Sequence, residues 1–199
     1  MKLLLQKEKN NLIKDNQRNK RIGTVIRRDI LENQANICFL AIGSNLGDKV
    51  NNINSSKKLL EKIPVKILAS SSIYLTPAWP NPKDPSFNNV VVKVKTKLNL
   101  KTLFKEIKKI EMTLGRIGKL RNSPRTCDID IIDFNGKNMN VNFESQNIKV
   151  PHPRMKNRNF VLFPLFEIEK NWQHPSNNRN IIDLMYNLSS KSLTTIKQI

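Results

Sequence analysis

The apolar positions of the chain change their spacing several times, and each change marks a predicted element. The run ICFLAIG at 37–43 is continuous and ends on glycine, which is typical of a buried strand. Over 50–63 the apolar residues recur at helical spacing, so a helix follows the strand. Asn45 or Asp48 is suited to cap that helix, since both are short polar residues placed just before it.

The next segments continue with two strands, a helix and a strand. Residues 65–75 predict a second strand, and alternation of valine with lysine at 87–98 predicts a half-buried third. Apolar residues over 103–114 mark an amphipathic helix, closed by the glycine that follows. The run DIDIIDF at 128–134 predicts a fourth strand, and Asn135-Gly136 is a hairpin-turn signal leading into KNMNV.

This order predicts a ferredoxin-like α+β fold. A βαββαβ succession forms a mostly antiparallel sheet with two helices on one face. The apolar segments at 160–168 and 180–188 predict short helices added at the C-terminal side. Residues 36–199 are expected to form this one domain. Residues 1–35 are rich in Lys, Arg and Asn and predict a basic, flexible extension.

Composition narrows the classes of function. The formal net charge of +19 attracts polyanions, which include nucleic acid, anionic lipid and phosphate-rich ligands such as ATP. No apolar segment has the length needed to span a bilayer, and no membrane partner is expected. Cys38 and Cys127 are far apart and lack metal-type spacing, which favours free thiols in a reducing compartment and a cytoplasmic location.

Two aspartates stand on one face of the fourth predicted strand. Side chains alternate along a strand, so Asp128 and Asp130 share a face with Thr126 and Ile132, while the residues between them face the core. Neighbours on one face lie about 7 Å apart. Carboxylates that close repel each other unless cations lie between them, as in a Mg²⁺ site. From this pattern alone, a solvent-facing strand is the favoured interpretation and a metal site the alternative.

Two basic clusters flank this strand in the sequence. The loop at 115–124 (GRIGKLRNSP) is glycine-containing and basic, and it is either an ordinary connection or a loop that closes over phosphates. The segment at 150–160 (VPHPRMKNRNF) holds His152 between two prolines, either as a structural residue or as a contact to a phosphate or base. The GSNLG segment at 43–47 lacks the Lys-Ser/Thr of a P-loop and is expected to be a tight turn.

Six segments, taken in order, resemble the 6-hydroxymethyl-7,8-dihydropterin pyrophosphokinase family of folate biosynthesis. PRTCDIDII followed by HPRMKNRNFVL is a specific combination, and the other matching pieces are AIGSNLGD, SIYLTP, FNNVV and IEMTLGR. The resemblance implies a ferredoxin-like fold. It also implies transfer of the β,γ-pyrophosphoryl group of ATP to the hydroxymethyl oxygen of the pterin, with release of AMP. With this resemblance, a metal site becomes the favoured interpretation of the aspartate pair, in place of a solvent-facing strand.

The resemblance also implies site residues on the metal and nucleotide side. Asp128 and Asp130 would hold two Mg²⁺ ions, and together with Arg116 and Arg125 they form the expected catalytic set. The residues expected to contact ATP are Glu111, Arg116, Arg121, Arg125, His152 and Arg158.

The expected pterin site lies beside them. Two phenylalanines would sandwich the ring, an asparagine would bind its polar edge, and the loop after the second strand would complete the site. The residues expected in this site are Thr76, Pro77, Trp79, Phe87, Asn89 and Phe160. The expected partners are therefore ATP and the pterin, no nucleic acid is expected, and no oligomer is implied.

Two alternatives stay open. One is a basic ferredoxin-like nucleic-acid-binding module, although the central strands offer Val, Ser and Lys where such modules display aromatic rings. The other is a slow or degenerate family member, because Gly118 and Asn122-Ser123 depart from the family pattern in the loop expected to close over ATP.

Overall fold

The computed structural model describes residues 35–78, 81–116, 123–144 and 146–199. In these residues the predicted βαββαβ order is confirmed. The elements of the core are β1 (Asn36–Ser44), α1 (Lys49–Leu60), β2 (Val65–Ser70), β3 (Tyr74–Thr76), β4 (Phe87–Thr96), α2 (Leu100–Thr113) and β5 (Asp128–Phe134). Residues 1–34, which make up nearly all of the expected N-terminal extension, lie outside the described residues, so the domain boundary stays a prediction.

The main sheet is antiparallel. Its strands follow the order β5-β1-β4-β3, with one further strand beyond β3, and β2 pairs with β4 beside β3. Strand β8 (Lys197–Gln198) is a short C-terminal strand that pairs with β3. This arrangement places the first and last strands of the βαββαβ unit side by side, so that residues 43 and 128 are paired directly.

The predicted strand at 65–75 is two strands in the structure. Ser71 separates them because its backbone N–H donates to the Val91 carbonyl (2.9 Å) while its hydroxyl accepts from the Val91 N–H (3.0 Å). Ser72 then turns toward the C-terminal helices, where its N–H and hydroxyl both donate to the Glu167 carboxylate. The spacing of apolar residues does not predict this break, because the break depends on Glu167, which is far along the chain.

The helix boundaries follow the predicted signals. Asp48 caps α1 by accepting a hydrogen bond from the Asn51 N–H (3.0 Å), so of the two candidate caps Asp48 is the correct one. Asn99 caps α2 in the same way through the Thr102 N–H (3.0 Å). Gly115 follows α2 with a φ of 84°, a left-handed conformation that favours glycine.

Helices cover one face of the main sheet and part of the other. Helices α1 and α2 cover one face, where Leu40, Ile53 and Leu103 belong to the main apolar cluster. Three C-terminal helices form a second cluster that packs on sheet residues such as Phe39 and Val91. They are α3 (Asn159–Ile168), α4 (Ile181–Tyr186) and α5 (Ser190–Thr194). The predicted C-terminal helical additions therefore cover part of the opposite face.

Two details near β5 differ from the prediction. The turn at Asn135-Gly136 is present, but the strand after it, β6 (Met139–Phe143), pairs with β7 (Gln146–Val150) in a separate two-stranded sheet. The strict alternation of β5 also stops after Ile132, where the pairing with β1 shifts. Ile132 still lies on the face opposite Ile131, as predicted, but Phe134 then joins the main cluster together with Ile131 instead of the second cluster. No helix within the described ranges is long and apolar enough to cross a membrane.

Candidate active site

Strand β1 forms the floor of the candidate site with its two smallest side chains. Gly43 is paired with Asn89 of β4 on one side and with Asp128 of β5 on the other, and Ala41 is paired with Asp130. Directly paired residues of neighbouring antiparallel strands point to the same face of the sheet. The two carboxylates therefore lie on one side of Gly43 and Ala41, and Asn89 lies on the other side. Gly43 and Ala41 are called the strip below.

Asn89 is fixed by its amide nitrogen. The Nδ2 group donates to the Thr76 hydroxyl (3.0 Å) and to the Tyr74 carbonyl (3.3 Å), and the residue is buried. Its Oδ1 faces Gly43, because a Cβ placed on Gly43 would lie 3.2 Å from that oxygen and 3.5 Å from the Phe87 ring. The site therefore offers a fixed hydrogen-bond acceptor beside an aromatic ring.

Two arginines bind the Asp128 carboxylate. Arg116 donates to Oδ1 at 2.8 Å, and the Arg125 guanidinium lies 3.1 Å from Oδ2. Arg116 also lies 2.6 Å from the Glu111 carboxylate and so links the two acids. These four predicted site residues form one ion-pair network at the start of β5.

Glu111 is the most buried acid of this network, with a relative exposure of 1%. Its carboxylate accepts from the Ile129 backbone N–H (2.8 Å) and pairs with Lys108 (2.8 Å) as well as Arg116. Burial raises its pKa, and the neighbouring cations and the Ile129 N–H offset only part of that effect. Lys108 was not among the predicted site residues, because on α2 it resembles any other exposed helix lysine.

The second aspartate has its own basic partners. Arg158 donates to Asp130 Oδ2 at 2.8 Å, and His152 Nε2 lies 3.8 Å from the same oxygen. Burial acts to raise the Asp130 pKa, but His152 and Arg158 outweigh it and hold that pKa below its usual range. Burial lowers the His152 pKa, and His152 Nδ1 accepts from the Arg154 N–H (3.1 Å), so Nε2 carries the proton of the neutral ring.

Each of the two predicted stacking rings contacts an arginine that also pairs with an aspartate of β5. The guanidinium carbon of Arg125 lies 5.7 Å from the centroid of the Phe87 ring, and that of Arg158 lies 5.3 Å from the Phe160 centroid. These distances are within the range of cation–π contacts. The contacts join the expected pterin residues to the expected metal residues.

Asn45 is a site residue that the sequence analysis missed. Its N–H donates to the Arg125 carbonyl (3.1 Å), its Oδ1 accepts from the Arg125 N–H (2.8 Å), and its Nδ2 donates to the Pro85 carbonyl (3.0 Å). It therefore ties the segment before β5 to the segment before β4. Its segment matches the family pattern, but the sequence predicts only a helix cap at this position.

The remaining predicted residues are placed as follows. Pro77 directly follows β3 and is exposed, so only its neighbour Thr76 enters the hydrogen-bond network. Trp79 and Arg121 lie outside the described residues, as do Gly118 and Asn122 of the expected ATP loop. All other predicted site residues lie beside the strip or belong to the clusters around the two aspartates. Their roles toward ligands stay predictions.

These features define a class: a ferredoxin-like α+β domain in which two carboxylates among arginines stand beside aromatic rings. The chain belongs to the 7,8-dihydro-6-hydroxymethylpterin-pyrophosphokinase (HPPK) family, whose model matches residues 39–170. Family membership does not support the nucleic-acid-binding alternative.

Individual relatives agree with this assignment. The chain is 40% identical over 134 residues to the 2-amino-4-hydroxy-6-hydroxymethyldihydropteridine pyrophosphokinase of Bacillus subtilis, covering 67% of this chain and 78% of that protein. It is 43% identical over 141 residues to the folic acid synthesis protein FOL1 of Dictyostelium discoideum, covering 71% of this chain but only 21% of that protein. The chain therefore spans about a fifth of that longer relative.

A solved structure shares the fold. The crystal structure of Plasmodium falciparum HPPK-DHPS wild type with pterin and p-hydroxybenzoate superimposes with a TM-score of 0.64 at 18% sequence identity. The match covers 84% of this chain and 46% of that one. It confirms the ferredoxin-like architecture of the core.

Proposed function

We propose that this chain transfers pyrophosphate from ATP to 6-hydroxymethyl-7,8-dihydropterin, giving AMP and the pterin diphosphate in a step of folate biosynthesis. The observation that carries the proposal is the pair Asp128 and Asp130 on one face of β5, separated from Asn89 only by Gly43 and Ala41. A polyphosphate bound at the aspartates and a flat ring bound at Asn89 would meet over this strip. Membership in the pyrophosphokinase family supports the same reaction.

The donor set at β5 fits Mg²⁺. Asp128 and Asp130 present carboxylate oxygens from alternate positions of one strand, and oxygen is the ligand atom that Mg²⁺ prefers. We propose that these two residues hold two Mg²⁺ ions together with the phosphates of ATP. The bound ions would polarise phosphoryl oxygens and offset their charge.

The cations around the aspartates are suited to orient the phosphates. Arg116, Arg125 and Arg158 carry planar guanidinium groups that bind phosphate oxygens with two parallel hydrogen bonds. Each of them already lies within 3.1 Å of a carboxylate oxygen and is held at the site. Glu111 acts as a positioning residue, because its buried carboxylate fixes the Arg116 guanidinium. Such positioning, rather than covalent catalysis, is what phosphoryl transfer requires of a protein.

The other side of the strip is suited to a pterin. Phe87 and Phe160 offer aromatic faces for stacking. Asn89 uses both hydrogens of its amide on Thr76 and Tyr74, which leaves Oδ1 to accept from an N–H group of the ring. The assignment therefore predicts that the polar edge of the pterin presents a donor at this point.

Formation of AMP from ATP and 6-hydroxymethyl-7,8-dihydropterin tests the function. We expect turnover that depends on Mg²⁺, and a loss of about 100-fold or more in Asp128→Asn and Asp130→Asn. Asp48→Asn is a matched control, because it removes a carboxylate while asparagine keeps the α1 cap. Unimpaired turnover in both site variants would refute the metal assignment, whereas no AMP formation by folded wild type would refute the function.

A cytoplasmic location remains part of this proposal. Both cysteines of the chain are free and buried in the structure, as expected for a protein of a reducing compartment. Detection of the intact protein in a fractionated cell extract would test the location.

A further inference from the structure

Strand β3 carries two acceptors that fix the amide of Asn89, the residue proposed to bind the polar edge of the pterin. The Asn89 Nδ2 group donates to the Thr76 hydroxyl (3.0 Å) and to the Tyr74 carbonyl (3.3 Å), and both residues belong to β3. The Asn89 amide therefore keeps its orientation only while β3 keeps its position. The groups that hold β3 in place thus determine where Asn89 Oδ1 points.

Strand pairing alone holds β3 weakly. The strand has only three residues, and it begins three positions after Ser71, where the pairing with β4 is interrupted. Among the described residues, its neighbour on the other side is β8, which has only two residues. Short segments with few paired residues open locally at a low cost in free energy. Strand β3 therefore depends on further contacts to stay in place.

A side chain far along the chain supplies such contacts. The Glu167 carboxylate of α3 accepts from the Ser72 N–H (2.9 Å), from the Ser72 hydroxyl (2.8 Å) and from the Tyr74 hydroxyl (2.9 Å). Gln198 of β8 donates from Nε2 to the same Ser72 hydroxyl (2.9 Å). These hydrogen bonds converge on the start of β3 and join it to α3.

Glu167 itself is exposed, and in the sequence it resembles any other helix glutamate. Because the side chain lies outside both apolar clusters, its replacement leaves no cavity in the core. Its carboxylate binds a backbone N–H and two hydroxyls of one neighbouring segment, and so it restrains that segment. This side chain can therefore affect the site without deciding whether the chain folds.

We propose that Glu167 is a positioning residue for the pterin, and that it acts through β3 on the Asn89 amide. The inference rests on the proposed function, since it concerns the pterin site of that function. Without the Glu167 carboxylate, residues 72–74 are released from α3 and β3 opens from β4 more often. The Asn89 amide then loses its two acceptors for part of the time and rotates, so that Oδ1 no longer presents one fixed acceptor to the ring.

Substitution of Glu167 should separate the two substrates. Glu167→Ala should weaken pterin binding by about fivefold, the effect of weakening one hydrogen bond to the ligand. Nucleotide affinity should stay within about twofold of wild type, because the hydrogen bonds of Glu167 within the described residues go to Ser72 and Tyr74. Glu167→Gln should bind pterin nearly as wild type does. Its Oε1 can accept from Ser72, and its amide nitrogen can donate to the Tyr74 hydroxyl, which rotates to accept.

The experiment measures dissociation constants for 6-hydroxymethyl-7,8-dihydropterin and, separately, for Mg²⁺ with a non-hydrolysable ATP analogue, on the full chain. Glu169→Ala is a matched control, because Glu169 directly follows α3 and pairs with Lys93 of β4, away from β3. It should leave the affinity for pterin unchanged. In an Asn89→Ala background, Glu167→Ala should cost less than about twofold, since the amide that it positions is gone.

A second measurement tests the positioning without any ligand. Hydrogen exchange of the Asn89 side-chain amide, followed by nuclear magnetic resonance, should be faster in Glu167→Ala than in wild type and unchanged in Glu169→Ala. If Glu167→Ala fails to fold, Glu167→Asp keeps the charge but shortens the side chain by one methylene, and it carries the same expectation.

The outcomes separate this inference from the function on which it rests. Unchanged amide exchange or unchanged pterin affinity in Glu167→Ala would overturn the inference, as would an equal loss of affinity with and without the Asn89 amide. A loss that Glu169→Ala reproduces would also overturn it, because it would show only a general attachment of α3 to the sheet. Wild type that binds no pterin would overturn the proposed function instead, and the amide exchange would then decide by itself whether Glu167 positions Asn89.

Discussion

Replacing Gly43 with alanine tests the floor of the site with a single methyl group. Gly43 has a φ that L-amino acids adopt without strain, so the new Cβ is the only perturbation. That atom would lie 3.2 Å from Asn89 Oδ1 and 3.5 Å from the nearest Phe87 ring carbon. The first distance is too short for an unstrained contact and the second is ordinary, so the methyl acts mainly on the Asn89 amide.

The Asn89 amide has little freedom to avoid the methyl group. Its Nδ2 is held by Thr76 at 3.0 Å and by the Tyr74 carbonyl at 3.3 Å, so Oδ1 must tilt away from the strip by a few tenths of an ångström. Weakening one ligand hydrogen bond costs about 1–2 kcal/mol, which corresponds to about a five- to thirtyfold loss of pterin affinity. Replacing glycine also lowers the entropy of the unfolded chain, so global stability should change by less than about 1 kcal/mol.

The assay pairs pterin binding with urea unfolding for wild type, Gly43→Ala, Asn89→Ala and the double variant. We expect a weaker pterin complex, nucleotide affinity within about twofold of wild type, and nearly unchanged stability. In the Asn89→Ala background the methyl should cost little, because its closest neighbour is gone. Equal losses from Gly43→Ala in both backgrounds, or an equal loss of nucleotide affinity, would refute the placement of Asn89 Oδ1 over Gly43.

Three further predictions concern the groups around the site. Burial raises the Glu111 pKa above its ordinary value of 4.5. The ionised carboxylate therefore opposes folding at pH values above the folded-state pKa, and this destabilisation disappears as the pH falls toward 4.5. Urea unfolding should show that wild type gains stability relative to Glu111→Gln between about pH 7 and pH 4.5. Tyr74→Phe removes the hydrogen bond to Glu167 (2.9 Å) and should cost about 1 kcal/mol of unfolding free energy, and no change would show that the contact contributes nothing. Burial raises the pKa of Cys127 to about 11 and that of Cys38 to about 12, so at pH 8 a thiol reagent should label both only after denaturation, and rapid labelling of the folded chain would contradict their burial.

The parts of the fold that followed from the sequence are those governed by local periodicity. Alternation along β5 correctly placed Asp128 and Asp130 on one face, because the pairing with β1 is regular there. The same rule fails a few residues later, where the register shifts and Phe134 joins the main apolar cluster together with Ile131. A shift in pairing depends on the neighbouring strand, and the spacing of apolar residues within one strand does not record it.

The site residues that the sequence does not predict have a different explanation. Asn45 is bonded to Arg125 across 80 positions, and Lys108 reaches the site only because α2 crosses the start of β5. Neither residue type is rare in its local setting, since an asparagine near a helix start predicts a cap and a helix lysine predicts solvent. Their roles become visible only when the tertiary structure brings the partners together.

The charges of the described site support the proposed use of Mg²⁺. The clusters around β5 contain three carboxylates, from Glu111, Asp128 and Asp130, and these are paired with Lys108 and three arginines. The positive charges of the site are therefore nearly balanced by its carboxylates, although the whole chain has a formal net charge of +19. The triphosphate of the proposed ATP substrate would add about four negative charges to this balanced site, and further cations would have to enter with it to prevent repulsion from the aspartates. The two Mg²⁺ ions that we propose would match that need, and the arginines that pair with the aspartates in this structure would become available to the phosphates once metal took their place.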